Sequence, residues 1–474
     1  MFAVRDPQHP TPNTLDRIVR LMNPAIETIR EITRGTGYEG RLFLVGGVVR
    51  DKVMGRLPTE DVDIVLEGDA LELAHFLYAQ RIADHKPVVY PRFGTAMVSI
   101  KGHTVELVSA RRESYAPESR KPEVELAELK EDVLRRDFTI NTLLENLHTG
   151  EIMDLTGCAM TDIEAGIIRT PTDPQITFYD DPLRMLRAVR FAVRLRFDIE
   201  EETCKAILRD APRLAIVSRE RIRDEFVKIL LSDQPGMGLR MLKELRLLKQ
   251  FAHEFIETQG VTQDGGHIYD VWEHTLHALD SLPSDADLTL RLAVLFHDVG
   301  KPRTKSVDDQ GHSHFYGHED LSAEITRRVM NRLRFPTNET ARVIRLVELH
   351  MRIGEYRREW KEAAVKRLIR DAGGDIADLL RLARADRAGA QPNASMVSLN
   401  ELERRIAETM LSTTVAEMES PLDGKEIMDL LGIAPGPEVK EVKEWLTDQV
   451  IEGRLTPRDK ENAKKMALDH FQGK

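Results

Sequence analysis

Two aspartates two positions apart have the spacing of a metal site for phosphoryl transfer. Asp61 and Asp63 flank Val62 in a short apolar segment, and side chains two apart on a strand project from the same face. Such a carboxylate pair can hold two divalent cations beside an attacking hydroxyl and a triphosphate. Glu106 offers a third carboxylate in a second strand-like segment. We therefore predict Asp61, Asp63 and Glu106 as catalytic residues, with Asp61 and Asp63 as metal ligands.

A glycine pair stands shortly before these aspartates. Gly46 and Gly47 separate a predicted strand from the helix that carries Arg50 and Asp51. Glycines let a backbone come close to phosphate oxygens. An Asp-x-Asp pair alone also occurs on ordinary exposed strands, but its combination with the glycine pair and a later strand carboxylate predicts a triphosphate site.

Three later segments extend this pattern. They are Arg135-Arg136-Asp137-Phe138-Thr139-Ile140-Asn141, Asp180-Asp181-Pro182-Leu183-Arg184 continuing to Phe191, and Arg219-Glu220-Arg221-Ile222 followed by Glu225. In this order, the motifs resemble the nucleotidyltransferase superfamily that includes DNA polymerase beta. Within it they are similar to class II tRNA nucleotidyltransferases and bacterial poly(A) polymerases. The resemblance covers about residues 40 to 230.

The resemblance implies a nucleotide site built from these motifs, with Mg²⁺ at the aspartates. Arg135 and Arg136 could hold the triphosphate, because the guanidinium fork matches phosphate oxygens, and Asn141 could bind a ribose hydroxyl. The expected nucleotide-binding residues are Gly46, Gly47, Arg50, Arg135, Arg136, Asp137, Asn141, Asp180, Asp181, Arg184, Arg187 and Arg190.

Asp181 and Arg184 are the residues expected to select the base. Three apart on a helix, they would share a face and present an acceptor beside a donor fork. Cytosine and adenine each offer an amino donor next to a ring acceptor, so the pair would accept these bases and reject guanine and uracil. The alternative interpretation is an ordinary ion pair on a helix surface.

A polar stretch between Arg111 and Leu134 contains Tyr115, Pro117 and Pro122. In the family, a flexible loop at this place helps to switch the pocket from C to A. The length of the stretch favours competence for the final A.

A second set of residues combines imidazoles with carboxylates. His274, the pair His297-Asp298 and Asp386 lie in successive apolar helical segments. The set resembles the HD phosphohydrolase superfamily, in which His318 and His350 would complete a second metal position. Imidazole and carboxylate ligands suit a divalent transition metal such as Ni²⁺, Co²⁺ or Mn²⁺ that activates water against a phosphate ester.

Some tRNA nucleotidyltransferases use such an HD domain as a phosphatase or a cyclic phosphodiesterase. The resemblance therefore implies a second activity in this chain. Two alternatives remain: the histidines are ordinary core residues, or the site is kept only as a fold.

Hydrophobic periodicity places these motifs on two kinds of structure. Residues 14–34 and 48–54 are predicted helices, and the predicted strands cover residues 41–45, 62–66, 88–98 and 104–108. From about residue 180 the pattern is helical. Its predicted interruptions are Asp280-Pro283, Phe335-Pro336, Gly373-Gly374 and Pro421.

These elements predict an α/β head with a polymerase-beta-like sheet, followed by an all-α neck, an HD body and a helical tail. The expected boundaries are 1–150 for the head, 151–260 for the neck, 261–395 for the HD domain and 396–474 for the tail. The tail is interpreted as a tRNA-docking unit, and a plain packing module is equally consistent with its residues.

Composition agrees with a multidomain protein of the cytoplasm. The chain has 474 residues and two cysteines, and neither a secretion signal nor a membrane span is expected. The net charge of −11 argues against a nucleic-acid partner, but arginines concentrate between Arg184 and Arg196 and between Arg352 and Arg370. The second cluster is also consistent with a solvated helix face.

We predict template-independent addition of CCA, or of its CC or A part, to the 3′ end of tRNA, with ATP and CTP as substrates. A poly(A) polymerase and an HD phosphohydrolase with an RNA-binding head are the alternatives. The presence of Asp61, Asp63 and Arg184 disfavours an HD phosphohydrolase whose head only binds RNA. The short tail favours tRNA over poly(A) tailing. The nucleotides added and the oligomeric state remain open.

Overall fold

A computed structural model describes residues 23–57, 61–114, 123–264, 268–391 and 395–471. The chain divides into two compact units. The first comprises Met1–Gln234 with Gly238–Gln250, and the second comprises Pro235–Met237 with Phe251–Lys474.

The first unit is organised around a seven-stranded mixed sheet. Its strands are β1 Leu42–Val45, β2 Val62–Leu66, β3 Val88–Tyr90, β4 Thr95–Ile100, β5 His103–Ser109, β8 Leu144–Asn146 and β9 Ile152–Met153. They lie in the order β3-β4-β5-β2-β1-β8-β9, in which β2 and β5 are parallel and the other neighbours are antiparallel. The predicted α/β head is confirmed.

Helices and a separate strand pair surround this sheet. Strands β6 Arg111–Ser114 and β7 Glu123–Leu126 form an antiparallel pair. Helix α1 begins after Asn23, whose side chain accepts a hydrogen bond from the Ala25 N–H. The helices are α1 Pro24–Thr33, α2 Gly47–Val53, α3 Ala70–Ala79 and α4 Leu129–Leu134. Of the predicted helix 14–34, the part before residue 23 lies outside the described residues.

The sheet is covered by apolar residues on both faces. Ile64 and Leu66 are buried on β2, and Val105 and Leu107 are buried on β5. A cluster on the other face joins Phe43, Val45, Val65, Ala110, Leu129, Val133 and Leu144. Asp63 lies on the same face as Val65, two residues away on the strand.

The rest of the first unit is helical apart from one short parallel pair, β10 Ile167–Ile168 with β11 Asp198–Ile199. The prediction of an all-α neck missed this pair, because two-residue strands leave no periodicity. The helices are α5 Ala159–Ala165, α6 Pro174–Asp180, α7 Arg184–Leu195, α8 Glu201–Asp210, α9 Arg219–Leu230 and α10 Pro235–Glu244, of which the residues from Gly238 onward belong to this unit.

The second unit is helical with one small hairpin, β12 Ser306–Val307 and β13 Ser313–His314. Its helices are α11 Val271–Asp280, α12 Leu288–Phe296, α13 Lys301–Thr304, α14 His318–Arg332, α15 Thr337–Gly354, α16 Glu362–Ala372, α17 Ile376–Ala390, α18 Val397–Ser412, α19 Gly424–Leu431, α20 Pro437–Ile451 and α21 Lys460–Phe471. All four predicted interruptions fall between helices. None of the helices in the described ranges is both long and apolar enough to cross a membrane.

The C-terminal helices α19–α21 enclose a core of their own. Ile427, Val442, Leu446, Ala463 and Ala467 are buried together. Asp423 starts α19 with a capping box, because its side chain accepts the Glu426 N–H and the Glu426 side chain accepts the Asp423 N–H. The predicted tail is thus a packed helical segment.

Candidate active sites

The strand register brings the predicted carboxylates of the head together. Asp63 on β2 is paired with Val45 on one side and with Glu106 on β5 on the other. Asp61 is exposed and lies immediately before β2. Burial, followed by the nearby Glu106 carboxylate, raises the pKa of Asp63 to about 6. Asp63 and Glu106 are thus cross-strand neighbours, and a hard divalent cation would relieve the repulsion between their carboxylates. Metal binding by Asp61 and Asp63 remains a prediction.

Gly46 lies directly against this cluster. Its backbone has φ +79°, and a Cβ atom at this position would stand 3.5 Å from the Asp63 Oδ2. Positive φ is strained for residues with a side chain. The glycine therefore turns the end of β1 tightly into α2 while leaving the Asp63 carboxylate uncovered.

A network of hydrogen bonds connects several of the predicted nucleotide-binding side chains, from Arg50 to Arg187. Arg50 donates to Asp51 through Nε (2.8 Å) and Nη2 (2.7 Å), and its Nη1 donates to the Asn141 Oδ1 at 2.6 Å. The Asn141 Nδ2 donates to the Asp137 Oδ1 at 3.0 Å. Asp137 also accepts two bonds from Arg187, at 2.8 Å from Nε and 2.5 Å from Nη2. These contacts hold the predicted nucleotide-binding side chains rigidly in place.

The charge of Asp137 in this hydrogen-bond network is stabilised by Arg187. Burial disfavours the charged form of Asp137, but the Arg187 guanidinium outweighs it and holds the pKa of Asp137 well below its usual range. The Asn141 amide is occupied on both its oxygen and its nitrogen. A ribose contact by Asn141, which remains a prediction, would use the second hydrogen of Nδ2 or the second lone pair of Oδ1.

Arg135 and Arg136 share one buried partner that the sequence analysis did not single out. Asp132 accepts from the Arg135 Nη2 at 2.5 Å and from the Arg136 Nη2 at 2.9 Å. Burial raises the pKa of the Asp132 carboxyl, and the two guanidiniums more than reverse this, so its pKa is lowered. The spacing of three and four residues was a readable signal. Asp132 orients both arginines, whose contact with a triphosphate remains a prediction.

Asp181 and Arg184 do not share a helix, so that part of the sequence prediction is wrong. Helix α6 ends at Asp180, Asp181 is extended with φ −140° and ψ 101°, and α7 begins at Arg184. The cause is Pro182, because the residue before a proline is driven out of the helical region.

The two side chains have different partners. The Asp181 Oδ1 accepts the Leu183 N–H at 3.1 Å, and its Oδ2 accepts from the Arg221 Nη2 at 2.9 Å. The Arg184 Nη2 donates to the Arg135 carbonyl at 2.7 Å. The ordinary Asp181–Arg184 ion pair is therefore not what the structure contains.

The arginine-rich face of α7 is anchored to α9. The Arg190 Nε lies 3.0 Å from the Glu225 Oε2, and its guanidinium carbon stands 4.4 Å from the centre of the Phe191 ring. Burial lowers the pKa of Arg190 to about 10. Arg190 thus joins the two helices.

The predicted switching loop is only partly within the described residues. Strands β6 and β7 pair in the register Arg111 with Leu126. Tyr115, Pro117 and Pro122 lie outside the described residues, so the loop assignment remains a prediction.

The second unit collects the predicted imidazole and carboxylate ligands into two groups. His274, His297, Asp298 and Asp386 form one, and Asp298, His318 and His350 form the other, with the candidate ligand atoms of each within 4.8 Å of one another. The Asp298 Oδ2 lies 3.2 Å from the His297 Nε2, and its Oδ1 lies 3.3 Å from the His318 Nε2. Asp298 therefore belongs to both groups, and it presents a different carboxylate oxygen to the histidines of each.

Backbone carbonyls orient three of the imidazoles. The Nδ1 atoms of His297, His318 and His350 lie 2.7, 2.8 and 2.6 Å from the carbonyls of Val294, Phe315 and Val347. A carbonyl only accepts, so each Nδ1 donates its hydrogen there and leaves Nε2 as the ring nitrogen that faces the cluster. A metal would bind at this Nε2 of the neutral imidazole.

Charge and close packing complete this centre. Burial disfavours the imidazolium, but the Asp298 and Asp386 carboxylates raise the pKa of metal-free His297 to about 10. Gly389 on α17 lets that helix approach α11, since a Cβ there would lie 2.7 Å from the His274 carbonyl oxygen. Close approach of these two helices brings His274 and Asp386 to 3.1 Å.

Two polar residues beside Asp298 were not predicted. The Lys301 Nζ donates to the Asp298 Oδ2 at 2.7 Å and to the Gln263 Oε1 at 2.6 Å. Both are largely buried. The spacing of Lys301 three residues after Asp298 was visible in the sequence, whereas the contact with Gln263 spans 38 positions and was not.

The second basic cluster is largely neutralised by acidic neighbours. Arg367 pairs with Asp448 and Glu452, and Arg370 pairs with Asp371. These contacts support the solvated-face interpretation of this cluster.

Comparison with known proteins gives three matches to family models. Residues 42–169 match the poly A polymerase head domain, residues 196–257 match a probable RNA and SrmB-binding site of polymerase A, and residues 265–387 match the HD domain.

Two curated relatives extend over most of the chain. An A-adding tRNA nucleotidyltransferase of Deinococcus radiodurans is 36% identical over 70% of this chain and 77% of its own length. A CC-adding tRNA nucleotidyltransferase of Thermus thermophilus is 33% identical over 89% and 92%. The chain belongs to the tRNA nucleotidyltransferase family. This membership confirms the resemblance inferred from the motifs.

Solved structures agree with the fold of the family. A Bacillus stearothermophilus CCA-adding enzyme in complex with CTP has a TM-score of 0.66 at 24% identity, covering 95% of this chain and 99% of that chain. A Thermotoga maritima CCA-adding enzyme complexed with tRNA has a TM-score of 0.57 at 22% identity, covering 96% and 97%.

Proposed function

We propose that this tRNA nucleotidyltransferase adds nucleotides to the 3′ end of tRNA without a nucleic-acid template, using CTP, ATP or both. The observation that carries the proposal is the register that sets Asp63 beside Glu106, with Gly46 against the same carboxylate. Paired carboxylates at this place can hold divalent cations for transfer from a triphosphate to a hydroxyl, which supports the proposal.

In this proposal Asp61 and Asp63 hold Mg²⁺, and Glu106 completes the carboxylate cluster. The tRNA 3′-hydroxyl would lose its proton to solvent and form a bond to the α-phosphorus as the bond to the pyrophosphate leaving group breaks. Mg²⁺ held by these residues would supply neutralisation of the triphosphate charge. The protein residues position the substrates. Arg135 and Arg136, held by Asp132, would contact the phosphates.

The remaining polar groups would fix the nucleoside. Arg50, Asp137, Asn141 and Arg187 form the wall behind it. Asp180, Asp181 and Arg184 would line the base, with Arg190 supporting the helix that begins at Arg184. The motif supports these assignments.

The nucleotide specificity is best tested directly. The two relatives described are A-adding and CC-adding, and the proposed addition covers CCA or either of its parts. Purified protein would be incubated with tRNA that lacks one, two or all three nucleotides of its CCA end, and with each nucleoside triphosphate alone. Addition limited to C, C and A on tRNA supports the proposal. Unlimited AMP incorporation into unrelated RNA would instead establish a poly(A) polymerase.

We also propose that the second unit is a phosphohydrolase acting on phosphate ends or 2′,3′-cyclic phosphates. The specific observation is Asp298 facing two ligand groups. The mixed imidazole and carboxylate set fits Ni²⁺, Co²⁺ or Mn²⁺, which would supply an activated water. Hydrolysis of 2′,3′-cyclic AMP or a phosphomonoester with one of these ions tests it. Absence of hydrolysis with all three ions would contradict it.

The proposed organisation follows the sequence prediction. The head covers 1–150, the neck 151–260, the HD domain 261–395 and the tail 396–474, with the tail as a docking surface for tRNA in the cytoplasm. Limited proteolysis followed by tRNA binding of the fragments would test these boundaries.

A further inference from the structure

The β12–β13 hairpin of the second unit is an ordered structure beside the HD centre. The Asp308 Oδ1 accepts the N–H groups of Gln310 and His312, both at 2.9 Å, and so closes the turn. The Asp264 side chain accepts the Ser313 N–H at 2.5 Å. These bonds fix the hairpin against the segment that contains Gln263.

The hairpin presents an aromatic pair to solvent. Tyr316 is 79% exposed, and its ring stacks on His314 with a centroid distance of 5.3 Å and an interplanar angle of 7°. The His314 Nε2 lies 2.9 Å from the Asp308 Oδ2. His314 is thereby held in one orientation, and the Tyr316 ring lies parallel to it but laterally offset, with most of the Tyr316 side chain uncovered.

This pair is adjacent to the metal ligands in the chain. Tyr316 precedes His318 by two residues, so their Cα atoms are at most about 7 Å apart. Between the aromatic pair and His318, the Phe315 carbonyl lies 2.8 Å from the His318 Nδ1. The exposed ring is therefore tied to a ligand of the second metal group by a very short connection.

Groups suited to a phosphate accompany the aromatic pair. The Nζ atoms of Lys301 and Lys305 lie 5.5 and 6.0 Å from the centre of the Phe315 ring. Gln263 is only 8% exposed, and its Nε2 has no hydrogen-bond partner among the residues that the structure describes. A buried donor without an acceptor is unfavourable, and an oxygen of a bound ligand would satisfy it.

We propose that Tyr316, supported by His314, stacks on the base of the terminal nucleotide whose phosphate enters the HD centre. Gln263 and the two lysines would bind oxygens of the same nucleotide. The occupant is an RNA end rather than a free phosphate, because an exposed planar ring offers a base a stacking surface and offers inorganic phosphate nothing. The inference rests on the proposed phosphohydrolase function.

The test compares a nucleotide with ligands that lack a base, using the full chain loaded with Mn²⁺. Equilibrium binding of adenosine 3′-monophosphate and of inorganic phosphate would be measured by calorimetry. We expect Tyr316→Ala to weaken binding of the nucleotide about tenfold and to leave phosphate binding unchanged, whereas Tyr316→Trp restores nucleotide binding. Val307→Ala is the matched control, because Val307 is a 61% exposed apolar residue on the same hairpin.

Hydrolysis gives the second readout. With adenosine 2′,3′-cyclic phosphate, Tyr316→Ala should raise KM about tenfold and change kcat less than about twofold, and glycerol 2-phosphate hydrolysis should be unaffected. Equal nucleotide affinity in wild type and Tyr316→Ala would overturn the stacking role. Absence of hydrolysis in the wild type would overturn the phosphohydrolase, and the binding comparison would still decide the role of Tyr316.

Discussion

The Nη2 of Arg221 lies 2.9 Å from the Oδ2 of Asp181, across the junction between two helices of the first unit. The pair holds in place a carboxylate that Pro182 has displaced from the helix of Arg184. The acceptor and donor expected to read the base are therefore positioned independently, Asp181 by Arg221 and Arg184 by a backbone carbonyl.

Base selection should respond to both supports. We expect Arg184→Ala to reduce the preference for CTP and ATP over UTP and GTP by about a hundredfold, and to change triphosphate binding much less. Arg221→Ala should give a smaller loss, because Asp181 remains but is no longer held. Single-nucleotide addition with each triphosphate measures both. Arg194→Ala, an exposed arginine on the same helix, is the control, and undiminished selectivity in Arg184→Ala would refute the assignment.

The carboxylate cluster should be indispensable for addition. Asp63→Ala or Asp61→Ala should lower the rate of nucleotide addition by at least about a hundredfold with Mg²⁺, because the ions lose their ligands. Circular dichroism should show an intact fold. Glu72→Ala removes an exposed carboxylate from α3 and should leave the rate unchanged. Near wild-type addition by either aspartate variant would rule out these ligands.

The shared carboxylate of the HD centre predicts a difference in metal content. Asp298→Ala should lose about two equivalents of bound Mn²⁺ relative to wild type, and His350→Ala about one, since Asp298 serves both groups. Elemental analysis after equilibrium dialysis against a saturating concentration of Mn²⁺ measures this. Asp298→Ala should also abolish hydrolysis while nucleotide addition continues.

A suitable control is His253→Ala, because His253 has a side chain that is 53% exposed and belongs to neither ligand group. If Asp298→Ala lost only one equivalent, the two groups would not share the ligand.

The Asp137–Arg187 pair should stabilise the first unit in a pH-dependent way. The pKa of Asp137 is lowered in the folded chain, so its contribution is complete above the ordinary carboxyl pKa of about 4 and is lost as the pH falls below it. Arg187→Met should destabilise the unit by about 2 kcal/mol at pH 7, below the value for fully buried pairs because Arg187 is 34% exposed.

Thermal unfolding of wild type and variant between pH 3 and pH 8 measures the effect. The difference in unfolding temperature between wild type and variant should become smaller at acid pH. A difference that stays constant over this range would contradict the role of the Asp137 charge.

The sequence predicted those helices and strands that local hydrophobic periodicity indicates. The alternation around Asp63 and Glu106 predicted two strands, whereas the pairing that sets these residues side by side comes from the structure. Helical spacing predicted one face for Asp181 and Arg184, but Pro182 keeps Asp181 out of the helical region. Contacts such as Arg50 with Asn141, which are 91 positions apart, depend on how the chain folds back and leave no mark on local pattern.

The position of Asp298 between two ligand groups also has a thermodynamic consequence. A first cation bound there would neutralise part of the charge that attracts a second, so the two occupancies oppose each other. Binding should then show negative cooperativity, and the second ion should enter only at a higher free metal concentration. A single carboxylate would in this way make the centre responsive to metal supply.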